Sequence, residues 1–140
     1  MNTTAMPVAE MQQRLEKAPF NSFLGLKVLA ADYEKQEIVM QMVLRPEFER
    51  IAESGQFHGG VISALIDAVG HYALMMMIGK PLATINFRTD YLRPATNTSL
   101  RAIGRVQRIG KSICVADVEV LDDADKVVAI GRGNYATPTT

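Results

Sequence analysis

The feature that most constrains this fold is the run HGGVISALIDAVGHYALMMMI, which extends from His58 to Ile78. A helix that is apolar on nearly every side has to be buried, and a chain of 140 residues has room for one domain. The run is also close to the minimum length of a membrane span. Asp67 and His71 lie in its middle, however, and unpaired charge inside a membrane is costly. We therefore expect the central helix of a globular domain and no membrane partner.

Strand-like runs lie on both sides of this helix. The segment Val8–Lys17 repeats apolar residues at spacings of three and four, which predicts a short helix that Pro19 ends. The order of elements favours an antiparallel sheet curled round the long helix, so we predict an α+β fold. A single domain spans residues 1–140, with residues 1–19 as an N-terminal helical extension. The predicted strands cover Leu24–Ala31, Ile38–Leu44, Leu82–Tyr91, Ser99–Ile109, Ser112–Leu121 and Lys126–Tyr135.

Charge and composition exclude several classes of function. Fifteen basic residues balance fifteen acidic ones, whereas a general nucleic-acid binder carries a basic excess, so we expect no nucleic-acid partner. One cysteine excludes a disulfide framework, and two histidines thirteen positions apart give no metal-ligand spacing. We therefore expect no metal and no cofactor. The first ten residues lack the basic start and apolar core of a secretory signal, which makes the cytoplasm the expected compartment.

A polar stripe runs along the apolar helix. Asp67 is its only charged residue, and Ser63, Asp67 and His71 follow one another at spacings of four, which places them on one helix face. Burying a carboxylate without partners costs several kcal/mol, so we expect Asp67 to be buried for a chemical reason. A carboxylate with a tunable pKa suits a general base or a nucleophile. The alternative is a paired aspartate that holds two subunits together.

The start of the helix, His58–Gly59–Gly60, suits binding of an oxyanion. Glycines let a ligand approach the backbone closely, and the free N–H groups of a first helical turn attract negative charge. The alternative is a tight turn between a loop and a helix. Gly59 and Asp67 are eight residues apart, which is about 12 Å along a helix axis. If both are catalytic, two antiparallel copies would bring Gly59 of one chain to Asp67 of the other, in a site shared across a two-fold interface.

Three segments give the chain a family resemblance: GQFHGGVISALIDAVGHYAL, TINFRTDYLRPA and GRGNYA. Together they resemble the hotdog-fold acyl-CoA thioesterases of the PaaI-like (phenylacetate-pathway) type, over residues 20–135. The most specific feature is HGG followed by an acid nine residues after the histidine. The resemblance implies a hotdog fold, dimers that pair their sheets edge to edge, and frequent tetramers. It also implies hydrolysis of an acyl-CoA thioester to free acid and CoA, with CoA as part of the substrate.

The resemblance also implies roles for individual residues. Asp67 acts as general base or nucleophile, Gly59 polarises the thioester carbonyl from the other subunit, and Thr84 helps to place water. Residues 80–111 hold seven basic residues and one acid, a charge that suits CoA phosphates or else an ordinary solvated sheet face. His71 either orients water or is a satisfied core histidine. The predicted substrate-binding residues are His58, Gly60, Ser63, His71, Arg88 and Arg93.

One position departs from the family pattern and keeps other functions open. Family members often carry Asn or Gln six residues before the motif histidine, where this chain has Ala52. Gln56, Ser54 or Glu53 could replace that amide, or the function is missing. The alternative is therefore a non-catalytic acyl-CoA-binding or regulatory module on the hotdog fold. A hotdog dehydratase is a third class, for which the sequence has no matching signature.

Overall fold

The computed structural model describes residues 4–139 and contains, within that range, three α-helices and one six-stranded antiparallel sheet. The order of strands across the sheet is β1-β2-β4-β5-β6-β3. The predicted α+β architecture, with one long helix against an antiparallel sheet, is confirmed. The helices are α1 (Val8–Lys17), α2 (Pro19–Leu24) and α3 (Gly59–Ile78), and the strands are β1 (Lys27–Asp32), β2 (Glu37–Met42), β3 (Ala83–Tyr91), β4 (Leu100–Ile109), β5 (Ile113–Leu121) and β6 (Val127–Ala136).

Helix α3 forms the centre of the core. Its long apolar run is buried against the inner face of the sheet, as the sequence predicts. The helix starts one residue later than predicted, because His58 is its N-cap and accepts from the N–H of Gly60 through Nδ1 at 2.8 Å. Gly79 ends it in the left-handed conformation (φ 80°). The buried residues of α3 are Ile62, Leu65, Ile66, Val69, Gly70, Tyr72, Ala73, Leu74, Met75 and Met76.

The N-terminal segment matches its prediction in α1, which spans Val8–Lys17, and differs from it between α1 and β1. The strand expected to start at Leu24 begins only at Lys27, because Pro19–Leu24 forms the short helix α2. A proline suits the first turn of a helix as well as it suits a position after one, so Pro19 both follows α1 and opens α2. Met11 and Leu15 of α1 are fully buried in the main core. These two side chains of the predicted N-terminal extension therefore pack in the core.

The two edge strands of the sheet, β1 and β3, are covered differently. Gln12 on α1 binds the β1 edge: its Oε1 accepts from Val28 N–H at 2.8 Å, and its Nε2 donates to Leu26 O at 3.3 Å. Among the strands of residues 4–139, β3 pairs with β6 alone, and its apolar side chains Ile85 and Phe87 are 52% and 39% exposed. The strand that carries Thr84 is therefore the open edge of the sheet.

Candidate active site

The centre of the candidate site is a hydrogen bond between α3 and β3. Thr84 Oγ1 donates to Asp67 Oδ1 at 2.8 Å, and no residue of the described range donates to the other carboxylate oxygen. Asp67 is half-buried rather than deeply buried as expected, because its face of the helix is covered only by the edge strand. The structure therefore brings together two of the predicted catalytic residues, on a carboxylate that is only half-buried.

The first turn of α3 leaves one backbone donor unused. His58 takes up the others: its Nδ1 accepts from Gly60, and its carbonyl accepts from Val61 at 3.0 Å and from Ile62 at 3.4 Å. Across residues 4–139, no group accepts from the N–H of Gly59. The structure thus places His58 and Gly60 in the helix cap, and Gly59 N–H is the donor at the positive end of the helix dipole.

Ser63 belongs to a hydroxyl network between the helix and the inner face of β3. Its Oγ donates to Thr89 Oγ1 at 2.9 Å and lies 2.6 Å from Tyr91 Oη, which in turn donates to Gly59 O at 2.5 Å. Thr89 and Tyr91 were not predicted as site residues from the sequence. Their spacing of two along a strand, which puts both on one face, is the signal that could have found them.

His71 is largely buried and makes its hydrogen bond to the protein itself. Its Nε2 accepts from Leu82 N–H at 2.9 Å, which ties the helix to the residue before β3. Burial lowers the pKa of His71, and the negative charge of Asp67 opposes that effect. A neutral imidazole with a main-chain donor fits the second of its two predicted roles, the satisfied core histidine.

A third residue that was not predicted from the sequence lies behind Asp67. Tyr135 on β6 is fully buried, and its hydroxyl donates to the main-chain carbonyl of Asp67 at 2.9 Å. Burial, chiefly, raises the pKa of Tyr135, so its hydroxyl is a donor at every ordinary pH. Tyr135 lies in GRGNYA, one of the segments that carry the family resemblance, but that segment gives the tyrosine no role.

The two arginines predicted to bind substrate do not meet Asp67 within one chain. Arg88 alternates with the inward residues of β3, so it points to the outer face of the sheet. There it pairs with Asp90 at 3.1 Å and lines a groove of about 850 Å³. Arg93 follows β3 and is exposed. Strand alternation is the physical reason for this separation.

The structure also describes the loop that holds Ala52, the position where family members often carry Asn or Gln. Ala52 is exposed at the tip of the loop between Glu49 and Phe57, which pair with each other. Of the three possible replacements, Ser54 accepts from the Gln56 N–H at 3.2 Å through its Oγ. None of the three side chains hydrogen-bonds to Asp67 in the described part of the chain. Within the same residues, no cluster of three or more His, Cys, Asp or Glu side chains is arranged to hold a metal.

The geometry as a whole presents two chemical groups on one stripe of α3. Gly59, Ser63 and Asp67 follow at intervals of four along the face that meets β3. The free amide and the carboxylate are nevertheless about 12 Å apart along the axis. A single chain therefore offers an oxyanion donor at one point and a base with a hydroxyl partner at another.

Comparison with known proteins gives a consistent result. The model of the thioesterase superfamily matches residues 54–129. A thioesterase-superfamily protein of known X-ray structure is 36% identical, with a TM-score of 0.87, over 94% of this chain and 98% of that one. The medium/long-chain acyl-CoA thioesterase YigI of Escherichia coli is 26% identical over 84% of each chain. The PaaI protein of the E. coli phenylacetic acid degradation operon has the same fold, with a TM-score of 0.79 and 24% identity over 92% of this chain and 91% of that one.

Proposed function

The chain belongs to the thioesterase superfamily, and from that premise we propose that it hydrolyses an acyl-CoA thioester at a site shared between two copies. The predicted hotdog fold and the resemblance to PaaI-like proteins are confirmed. The observation that carries the proposal is the Asp67–Thr84 pair, whose second carboxylate oxygen has no partner within residues 4–139. A carboxylate held by one oxygen and open at the other suits a general base.

The shared site follows from the distance along α3. Asp67 cannot reach a carbonyl that is bound at Gly59 of its own helix, about 12 Å away. In a two-fold dimer with antiparallel helices, Gly59 of a second copy lies beside Asp67 of the first. Each dimer would then hold two equal sites, and each site would take its oxyanion donor from one chain and its base from the other.

The open edge of the sheet supports a two-fold arrangement. β3 lies directly beside the catalytic face of α3, since Thr84 bonds to Asp67 and Tyr91 bonds to Gly59. Its outer edge has unpaired backbone groups, and Ile85 and Phe87 are exposed beside them. Pairing of two β3 strands would satisfy those groups and cover the apolar side chains.

The proposed reaction is attack by water. The substrate carbonyl accepts from Gly59 N–H of one chain, which stabilises the oxyanion that forms on attack. A water molecule donates one hydrogen to the free oxygen of Asp67 and the other to Thr84 Oγ1, so its lone pair faces the carbonyl carbon. As the C–O bond forms, Asp67 takes a proton from the water. Collapse of the tetrahedral intermediate breaks the C–S bond, and the thiolate of CoA takes up the proton.

We propose acyl-CoA in particular as the thioester substrate. It is supported by the relative YigI, a medium/long-chain acyl-CoA thioesterase, and by the basic stretch of residues 80–111. Arg101 and Arg105 of that stretch pair with Asp125 and Glu37, whereas Arg93 pairs with no acid of the described range and is available to phosphate. We also propose that the enzyme acts in the cytoplasm and needs no cofactor besides the CoA of its substrate.

The first experiment measures release of free CoA from a panel of acyl-CoA thioesters, including phenylacetyl-, benzoyl-, short-, medium- and long-chain esters. We expect Asp67→Asn to lower kcat by at least about a hundredfold, because it removes the general base. Asp125→Asn, which makes the same change in the turn between β5 and β6, is the control and should keep the wild-type rate. The alternative of a non-catalytic binding module, favoured by Ala52, predicts that thioesters bind to the wild type without turnover.

A second experiment tests the donor at Gly59. Gly59→Pro removes the N–H at the first helical position, where proline is well tolerated, and His58 already has the extended backbone that a following proline requires (φ −66°, ψ 136°). We expect a loss of about a hundredfold in kcat. Gly59→Ala keeps the N–H while adding a Cβ in the same place, 3.2 Å from the Tyr91 ring, and is the matched control.

Mixing variants tests whether the site is shared. An unfolded and refolded equal mixture of Gly59→Pro and Asp67→Asn contains hybrid dimers in which one of the two sites is intact. Random pairing predicts recovery of about one quarter of the wild-type activity. If each chain holds a complete site, the mixture stays as inactive as its parents.

A further inference from the structure

We propose that Tyr135 is a positioning residue, which fixes the Asp67–Thr84 pair from behind without touching substrate. The inference rests on the proposed function for its catalytic consequence, and on the structure alone for its geometry. Tyr135 lies on β6, between β5 and the edge strand β3, and no side of its ring is open to solvent. It is thus a rigid element of the core that contacts both halves of the candidate site.

Tyr135 reaches the two members of the pair in different ways. In the β3–β6 ladder, Thr84 is its direct cross-strand partner. Its hydroxyl crosses to α3 and donates to the main-chain carbonyl of Asp67 at 2.9 Å. Thr84 Oγ1 then closes the triangle by donating to Asp67 Oδ1 at 2.8 Å. The main-chain carbonyl of Asp67 is therefore held by Tyr135, and its carboxylate is held by Thr84. These two residues face each other on the paired strands β6 and β3.

Two glycines make room for this tyrosine. A Cβ at Gly70, in the middle of α3, would lie 2.6 Å from Tyr135 Oη, and one at Gly133 of β6 would lie 2.5 Å from it. Glycine is unfavourable inside a helix and inside a strand, so each of these positions needs a packing reason. The tyrosine hydroxyl supplies that reason at both, because any larger residue would push it away from Asp67.

The contact is polar but takes no part in proton transfer. The raised pKa of Tyr135 keeps its hydroxyl protonated, and the hydroxyl donates to the main-chain carbonyl of Asp67. The Asp67 carbonyl also accepts within the helix, from the residue four positions on. Loss of the tyrosine hydroxyl therefore leaves the helix intact and removes only the restraint that sets where Asp67 sits relative to Thr84.

The first test compares Tyr135→Phe with Tyr33→Phe. Both changes remove a hydroxyl that donates to a main-chain carbonyl; Tyr33 donates to Met6 at 2.6 Å, in the N-terminal region. We expect Tyr135→Phe to lower kcat about tenfold at unchanged KM, since small errors in position cost a large part of the rate. Tyr33→Phe should leave both constants unchanged. Equal kinetics in the two variants would overturn the proposal.

A double-mutant cycle separates positioning from general destabilisation. If Tyr135 acts through the Asp67–Thr84 pair, its hydroxyl should matter less once that pair is broken. We expect Tyr135→Phe to cost about tenfold in kcat in the wild type but less than about twofold in a Thr84→Val background. Equal costs in the two backgrounds would mean that Tyr135 is only structural. Gly70→Ala, which displaces the hydroxyl without removing it, should reproduce the kcat loss of Tyr135→Phe.

A substrate-free measurement keeps the inference distinct from the proposed function. Relaxation of the Thr84 methyl group by NMR reports the fast motion of its side chain. We expect its order parameter to fall in Tyr135→Phe and in Gly70→Ala, and to stay at the wild-type value in Tyr33→Phe. If the wild type hydrolyses no thioester, the proposed function fails. The order parameter of the Thr84 methyl group still shows whether Tyr135 restrains the Asp67–Thr84 pair. An unchanged Thr84 methyl in Tyr135→Phe overturns the inference whatever the activity.

Discussion

The two edge strands of the sheet, β1 and β3, differ in how far their unpaired backbone groups are covered. The β1 edge, here called the closed edge, is covered where the strand begins: the side chain of Gln12 takes up the N–H of Val28 and the carbonyl of Leu26. The pairing of β1 with β2 is also irregular between Val28 and Ala30. The β3 edge has no such cover, and Ile85 and Phe87 lie exposed along it. Open strand edges invite pairing with another chain, and proteins normally block them.

The difference is consistent with the proposed dimer, in which the open edge would pair with a second copy. β3 also carries Thr84 and Tyr91, the residues that bond to the catalytic face of α3. The closed edge carries no residue of the candidate site. Assembly through β3 would therefore join two copies at the one edge where the carboxylate and the free helix amide both lie, so that dimer formation and completion of the site become one event.

The largest effect should come from placing a charge on each edge in turn. Ile85→Asp puts an unpaired carboxylate into the proposed interface, where desolvation costs several kcal/mol. We expect it to convert dimer to monomer and to lower the rate of thioester hydrolysis by at least about a hundredfold, since Gly59 of the second copy is lost.

Leu29→Asp is the matched control for the closed edge. Leu29 is an exposed apolar residue of β1, 44% accessible against 52% for Ile85. It should change neither the mass measured by analytical ultracentrifugation nor the rate. Dissociation by Leu29→Asp, or a fully active Ile85→Asp monomer, would break the distinction between the edges.

An intermediate effect is expected from uncovering the β1 edge. Gln12→Ala leaves the N–H of Val28 without its acceptor, which we expect to cost about 1–2 kcal/mol of unfolding free energy. The neighbouring Gln13→Ala removes the same side chain from the exposed face of α1 and should cost less than about 0.5 kcal/mol. Urea unfolding measures both. Equal stability of the two variants would show that Gln12 does not close the edge.

The smallest effect concerns pH at the start of the open edge strand. The pKa of His71 is lowered from its ordinary 6.5 by burial, so the folded state binds its proton less readily than the unfolded chain. Stability from the neutral imidazole is present above about 6.5 and is lost as the pH falls below that value. Protonation of Nε2 also removes the acceptor for Leu82 N–H.

The check is the unfolding free energy of the wild type and of His71→Gln between pH 8 and pH 5. The other titrating groups that face His71 are Asp67 on its own helix and the tyrosines Tyr72 and Tyr135, both of which stay protonated. The wild type should lose more stability on acidification than the variant. Parallel curves would mean that His71 does not contribute to the pH dependence.

Much of the fold could be predicted because its signals are local. The apolar run predicts α3 nearly to the residue, and alternation predicts the strands after it to within one or two residues. Helix α2 was not predicted because a proline is common both just after a helix and in the first turn of one, and Pro19 does both. The sequence alone does not show whether Pro19 only ends α1 or also starts a second helix. Arg88 was grouped with the site because charge along a sequence does not say which sheet face a residue occupies.

The candidate site divides in the same way. Asp67 is marked by its isolation in an apolar helix, and Gly59 by the HGG motif and the spacing of the acid after it. Tyr135 and Tyr91 lie in segments that carry the family resemblance, but no motif there assigns either tyrosine to the site. Tyr135 is 68 positions from Asp67 and Tyr91 is 32 positions from Gly59, so only the pairing of strands decides that they meet.

The sequence by itself therefore determined which segment is buried, which residues are chemically unusual there, and how far apart they lie along one helix axis. These are properties of periodicity and covalent geometry, which each segment carries alone. The tertiary structure decided that Thr84 meets Asp67, that Tyr135 holds both, and that one sheet edge is covered while the other is not. Such facts depend on packing between segments far apart in the chain, where the gain from each contact outweighs the entropy of bringing its partners together.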